Sequence, residues 1–298
     1  MSESPMTILV PVGFAEQSLI ALEQAMSFAG RLQAKVVLLT VMEEPRGVIM
    51  EWFDDKVKLA ELKTELKDKI EILAEEQAAK SGLEVEGLVA TGSIYEEIVR
   101  VADLISADLI IMGTDGSPKG FVKKMIGSNA YRVVSTAEMP VITIKGTDHR
   151  SGIQNIVLPL DLQKETKQKV GRAIKIARQF NSTIHVISVS PTDDEFIVNR
   201  QIRNLNQVEE VIRLQGVNVL SKLLLPEETS NISRMVVGCA KEVDADLIVI
   251  MTQQETDFTD YFIGSTAQQI IYHSRIPVMS VRPIPSGDIA IDIPGFGV

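Results

Sequence analysis

The chain has 298 residues, of which 45% are hydrophobic and 23% charged, with a formal net charge of −10. That length and apolar content suit two ordinary globular domains, and no apolar run approaches the roughly 20 residues of a membrane span. The acidity falls as −7 on the first 150 residues and −3 on the rest, so neither half can neutralise many phosphates; nucleic acid is an unsuitable ligand, although a small anionic nucleotide is not excluded.

In chain order, the first half reads as strand and helix in strict alternation. Strands are expected at 7–12, 35–42, 83–89, 109–113 and 141–145, several of them unbroken Val/Ile/Leu runs of the kind buried on both faces of a parallel sheet. The intervening segments carry apolar residues three and four apart, as in Leu19, Leu22, Met26 and Ala29. Residues 51–80, rich in Glu, Lys and Leu, predict one exposed amphipathic helix with Glu61, Lys63, Glu65 and Lys67 towards solvent. Ser93, with Glu96 three residues on, predicts a capped helix start. Alternation of this kind implies right-handed crossovers and a doubly wound α/β domain.

The second half repeats the first. Ile8-Leu9-Val10-Pro11-Val12 returns as Ile156-Val157-Leu158-Pro159-Leu160 at an offset of 148, and Ala107-Asp108-Leu109-Ile110 returns as Ala245-Asp246-Leu247-Ile248 at 138. Gly127-Ser128 and Pro140-Val141 return as Gly264-Ser265 and Pro277-Val278 at 137, so the copies are colinear apart from two deletions in the second. A repeat this long is a whole domain. Residues 1–147 and 152–284 are therefore expected as two domains, with 285–298 as an irregular Pro/Gly-rich tail. The linker around 146–152 reaches only about 15 Å if flexible, so the domains are expected to pack as an internal pseudo-dimer through the closing strands 141–145 and 278–282, with a homodimer as a further option. In the second copy Asn231 or Ser230 should cap the third helix. The single cysteine, Cys239, lies on the apolar side of a helix with Met235, Val236 and Val243; it reads as core packing and fits a reducing cytoplasm.

In a doubly wound sheet the ligand crevice opens beyond the carboxyl ends of the strands. The loop from Gly113 through Gly116 to the helix starting near Gly127-Ser128 offers glycines for close approach, free N–H groups at a helix start, and a hydroxyl. Lys119, Lys123 and Lys124 add positive charge to this loop. Glycines alone are weak evidence, since many such loops only turn the chain. The combined motifs resemble those of the universal stress protein family over 6–146 and 153–283. That resemblance implies an adenine nucleotide alpha-hydrolase-like α/β fold and, in members that bind ATP, a glycine pattern of Gly, two residues, Gly, nine residues, then Gly-Ser or Gly-Thr.

Here Gly113 and Gly116 fit, but ten residues separate Gly116 from Gly127. The second copy has nine residues before Gly264-Ser265, yet carries Met251 and Gln254 in place of the two glycines. The family's nucleotide binders also place an Asp after the first strand, near ribose and base; the second copy keeps it as Asp161, and the first has Gly13. The resemblance further implies Pro11 and Val41 as lining residues. The cofactor-binding set is thus Gly113, Gly116, Gly127, Ser128, Pro11 and Val41, with Asp161, Gly264 and Ser265 as a weaker second site. The ligand expected is ATP or another adenine nucleotide, with Asp115 the carboxylate placed to meet any magnesium.

The three histidines, His149, His185 and His273, show no metal or triad spacing. Walker and Gly-x-Ser-x-Gly motifs are absent, as are the Ser-Gly-Gly and His-Ile-Gly-His motifs of related nucleotide-activating enzymes. The resulting expectation is a stress-response binding or regulatory protein, not an enzyme. A nucleotide-independent interaction module and a very slow ATPase are the alternatives.

Overall fold

A computed structural model describes residues 5–43, 55–114, 127–146, 152–160, 166–190, 192–225, 231–252 and 263–283. The chain divides into two compact units between His149 and Arg150. The expected tail, Asp161, and the loop carrying Asp115, Gly116 and the three lysines lie outside the described residues.

The first unit runs β1 (Thr7–Pro11), α1 (Glu16–Leu32), β2 (Lys35–Met42), α2 (Asp55–Ser81), β3 (Val85–Thr91), α3 (Ile94–Leu104), β4 (Leu109–Gly113), α4 (Ser128–Thr136) and β5 (Val141–Ile144). Its strands lie in the order β3-β2-β1-β4-β5, all parallel. The second unit repeats this with β6 (Asn155–Leu160), α5 (Thr166–Phe180), β7 (Thr183–Val189), α6 (Glu195–Leu214), β8 (Asn218–Leu224), α7 (Ile232–Glu242), β9 (Leu247–Met251), α8 (Ser265–His273) and β10 (Val278–Val281). Its order is β10-β9-β6-β7-β8, again parallel. Each unit is therefore doubly wound, with the order reversing beside its first strand, and the crevice position lies over the carboxyl ends of β1 and β4 or of β6 and β9.

The continuous apolar runs are the buried strands: Ile8, Leu9, Val10, Ile110 and Ile111 in one unit, and Ile156, Val157, Leu158, Ile248 and Val249 in the other, are all nearly fully buried. The recurring Asp of the Ala-Asp-Leu-Ile motif works at the opposite end of the sheet from the crevice. Asp108 accepts the Thr7 N–H at 2.9 Å, and Asp246 accepts those of Gln154 and Asn155 at 2.7 and 3.0 Å, tying the start of the first strand to the start of the fourth.

Two local expectations need correction. The third strand starts at Val85 rather than at 83 and runs on to Thr91. Ser93 occupies the N-cap of α3, but its side chain accepts no capping hydrogen bond. Glu96, expected to reach back, instead accepts from the Tyr95 hydroxyl at 2.7 Å, while Glu97 pairs with Arg100 at 2.6 Å. Nearby donors have taken both carboxylates. Asn231 does cap α7, accepting the Ser233 N–H at 2.9 Å. Cys239 is buried, and burial pushes its thiol pKa up. Helix α2 is exposed along its charged face, with Lys69–Glu65 at 2.6 Å, and sits so close to β3 that a Cβ on Gly87 would lie 2.9 Å from the Ile70 carbonyl.

Candidate functional site

The crevice rim of the first unit is built by strand ends. β1 ends at Pro11, and the Val12 N–H continues its ladder to the Leu39 carbonyl at 2.8 Å. The Thr40 hydroxyl donates to the Val12 carbonyl at 2.9 Å, as Ser188 does to Leu160 in the second unit. Val41 follows on β2, so Pro11 and Val41 share the rim. Carbonyls alternate sides along a strand. Leu39 faces β1 and Met42 faces β3, where it accepts from Gly92, so the Val41 carbonyl points past the end of β1 over the crevice. No hydrogen bond outside the sheet ladder reaches it among the described residues.

After β1 the chain turns through Gly13 and Phe14, the latter in the left-handed region at φ 55°. Gly13 itself is exposed, and a Cβ placed there meets nothing within 4 Å.

Across the rim, β4 ends at Gly113. The Thr114 N–H donates to the Ile144 carbonyl, and the Thr114 carbonyl accepts from Gly127, both at 3.0 Å. This pair of bonds brings Gly113 and Gly127 together at the two ends of the loop. The second unit does the same, with Thr252 bonded to Val281 at 3.0 Å and to Gly264 at 2.9 Å. Sequence reasoning missed these threonines, although their recurrence at the offset of 138 was a usable signal.

Gly127 and Gly264 are the N-caps of α4 and α8, with nearly identical backbones at φ −52°, ψ 140° and φ −55°, ψ 145°. Neither helix start receives a side-chain cap. The first intrahelical bond in α4 comes from Tyr131 to Gly127, which leaves the N–H groups of Ser128, Asn129 and Ala130 without an acceptor among the described residues, with exposed Ser128 beside them. Such an end carries partial positive charge and presents donors to an anion.

For Gly113 the structure supplies a reason the sequence did not. Its φ is not in the left-handed region, so backbone conformation alone does not call for glycine there. Instead α1 crosses it closely: a Cβ there would sit 3.0 Å from both Cγ and the carbonyl oxygen of Gln17. Gln17 in turn donates from Nε2 to the Ile144 and Gly146 carbonyls at 3.3 and 3.2 Å, locking α1 to the end of β5. The close approach is to the helix.

Between the third and fourth helices the units diverge. In the first, the Arg132 guanidinium lies 4.6 Å from the centroid of the Tyr95 ring. In the second, the corresponding Gln269 accepts from Asn231 and Ser233 at 2.6 and 2.9 Å. His185 bonds Asn155 at 3.0 Å on the sheet surface, and burial lowers its pKa, as befits a structural histidine. Among the described residues no group of His, Cys, Asp or Glu could hold a metal, and no helix is long and apolar enough to cross a membrane.

Two doubly wound units, each with a helix start beside the carboxyl end of its fourth strand, define the fold class, and the comparisons with known proteins give it a family. The universal stress protein family model matches twice, over residues 6–145 and 152–282. The chain belongs to the universal stress protein family, as a tandem of two such domains. A universal stress protein of Methanocaldococcus jannaschii is 29% identical over 154 residues, covering 46% of this chain and 93% of its own. A universal stress protein structure from Archaeoglobus fulgidus aligns with a TM-score of 0.73 at 19% identity, covering 93% of this chain and 96% of that one, which shows the shared tandem fold. Another universal stress protein from that organism, solved in complex with dAMP, aligns at TM-score 0.37 and 24% identity, covering 43% of this chain and 97% of its own.

Proposed function

We propose that this protein is a stress-response regulatory protein that binds an adenine nucleotide in its first unit. The observation that carries the reading is the pairing of two complementary ends on one rim. The uncapped start of α4 offers N–H donors to phosphate, and the Val41 carbonyl, which takes no bond outside the ladder among the described residues, offers an acceptor to a base amino group. Adenine is the base implied by the family resemblance. Gly13 supplies no carboxylate for the ribose, so this is a site with its phosphate and base ends in place and its sugar end weakened. Losing one hydrogen bond involving a charged group costs roughly 1.5–3 kcal/mol, about 10- to 100-fold in affinity.

Binding rather than turnover is the supported activity. Backbone N–H groups at a helix start hold the ground state about as well as the transition state, and uniform binding does not speed chemistry. A magnesium ion arriving with the nucleotide would be held mainly by phosphates and water, since Mg²⁺ keeps several waters in such sites. A cytoplasmic location and the internal pseudo-dimer belong to the same proposal, supported by the lone cysteine and by the short linker between apolar closing strands. The test is to denature the purified protein and identify released small molecules by mass spectrometry. An adenine nucleotide in stoichiometric amount is expected. If none is released and none binds on titration into dialysed protein, the nucleotide-independent interaction module takes its place.

A further inference from the structure

The second unit closes the base end of its own crevice. Gln201 lies in α6, one turn before Leu205 on the stripe Leu205, Val208 and Ile212 that this helix buries, and it is itself only 4% exposed. Its Nε2 donates to the Val189 carbonyl at 3.1 Å. The amide cannot be turned round, because that would set two oxygens against each other. Its Oε1 is buried and receives no donor.

Val189 is the repeat counterpart of Val41, at the offset of 148 that relates β1 and β2 to β6 and β7. At Val41 the carbonyl carries no bond outside the ladder among the described residues. At Val189 the same carbonyl is taken by Gln201. The amide thereby moves the unpaired acceptor from the strand end, where a ligand could reach it, to a buried oxygen behind it. An apolar side chain would pack as well against Leu205 and leave the strand-end carbonyl open, so satisfying buried groups does not explain a glutamine here. Backbone carbonyls at strand ends are among the few fixed polar groups that orient a ligand in a pocket.

We infer that Gln201 is a built-in occupant of the second crevice, confining adenine-nucleoside binding to the first unit independently of the glycine loops. This rests on the nucleotide reading of the first rim. The ligand class it excludes is any heterocycle that presents an amino group to the Val189 carbonyl.

The test counts adenosine, a phosphate-free probe for which Met251 and Gln254 are immaterial, by equilibrium dialysis at millimolar ligand, with circular dichroism confirming each variant's fold. Wild type should bind one adenosine per chain. Gln201→Ala, and the milder Gln201→Asn, whose amide is one methylene too short to reach Val189, should bind two. A count of one in both shortened variants overturns the inference and leaves the first-unit reading standing, and a count of two in wild type overturns it as well. Zero in wild type removes the first-unit reading. In that case a single adenosine gained by the shortened variants would still support the closure by Gln201, and none would overturn both.

Discussion

Replacing Gly113 with alanine separates packing from ligand binding at the end of β4. The added methyl carbon would lie 3.0 Å from Gln17 Cγ, 3.0 Å from its carbonyl oxygen and 3.3 Å from its carbonyl carbon. The side-chain contact could yield by a rotamer change, though at the expense of the Gln17 bonds to Ile144 and Gly146. The backbone contact cannot yield without moving α1. Overpacking of this kind costs about 1–3 kcal/mol. For a unit of this size each kcal/mol lowers Tm by about 2–4 °C, so a fall of roughly 2–12 °C is expected in ligand-free protein. Gly13→Ala is the control: nothing lies within 4 Å of its new methyl and its φ is not left-handed, so stability should hold or rise by about 0.4–1 kcal/mol. Scanning calorimetry on nucleotide-free samples measures both. If Gly113→Ala melts like wild type and loses only nucleotide affinity, the packing account of Gly113 is wrong and the residue serves the ligand directly.

Three further outcomes follow from the same geometry. Gly13→Asp has open space for its side chain and should tighten adenosine and ATP binding about 10-fold or more by restoring a ribose acceptor, measured by titration calorimetry; unchanged affinity would move the sugar away from the end of β1. His185 has a folded pKa below its unfolded value of about 6.5, so the unfolded chain binds more protons, and stability should be full above that pH and fall as pH drops through it; His185→Gln should flatten the dependence of Tm on pH in this range, and an unaltered slope would assign it to another group. ATP hydrolysis should take minutes to hours per turnover, since a helix start and backbone donors bind the ground state about as well as the transition state, and a rate near 1 per second that disappears in Asp115→Asn would make this an enzyme.

The fold was legible because its strands are buried on both faces. Runs such as Leu109-Ile110-Ile111-Met112 admit little else, and the repeat carried the reading into the second unit, where β8, with exposed Leu220 and Lys222, would have been ambiguous alone. Glycine positions at the helix starts were legible for the same reason: Gly127 and Gly264 recur with their serines and both prove to be N-caps. What could not be read depends on contacts between elements distant in sequence. Gly113 answers to Gln17 on a helix almost a hundred residues earlier. Gln201 looks in sequence like a polar interruption of an amphipathic helix, and its role appears only once β7 places Val189 beneath it.

The central claim, that nucleotide binds in the first unit through its phosphate end, is tested most directly by calorimetric titration of ATP into Gly116→Val and Asp161→Ala. The account expects Gly116→Val to abolish binding and Asp161→Ala to leave it as in wild type. Binding lost in Asp161→Ala and kept in Gly116→Val would place the nucleotide in the second unit and contradict it.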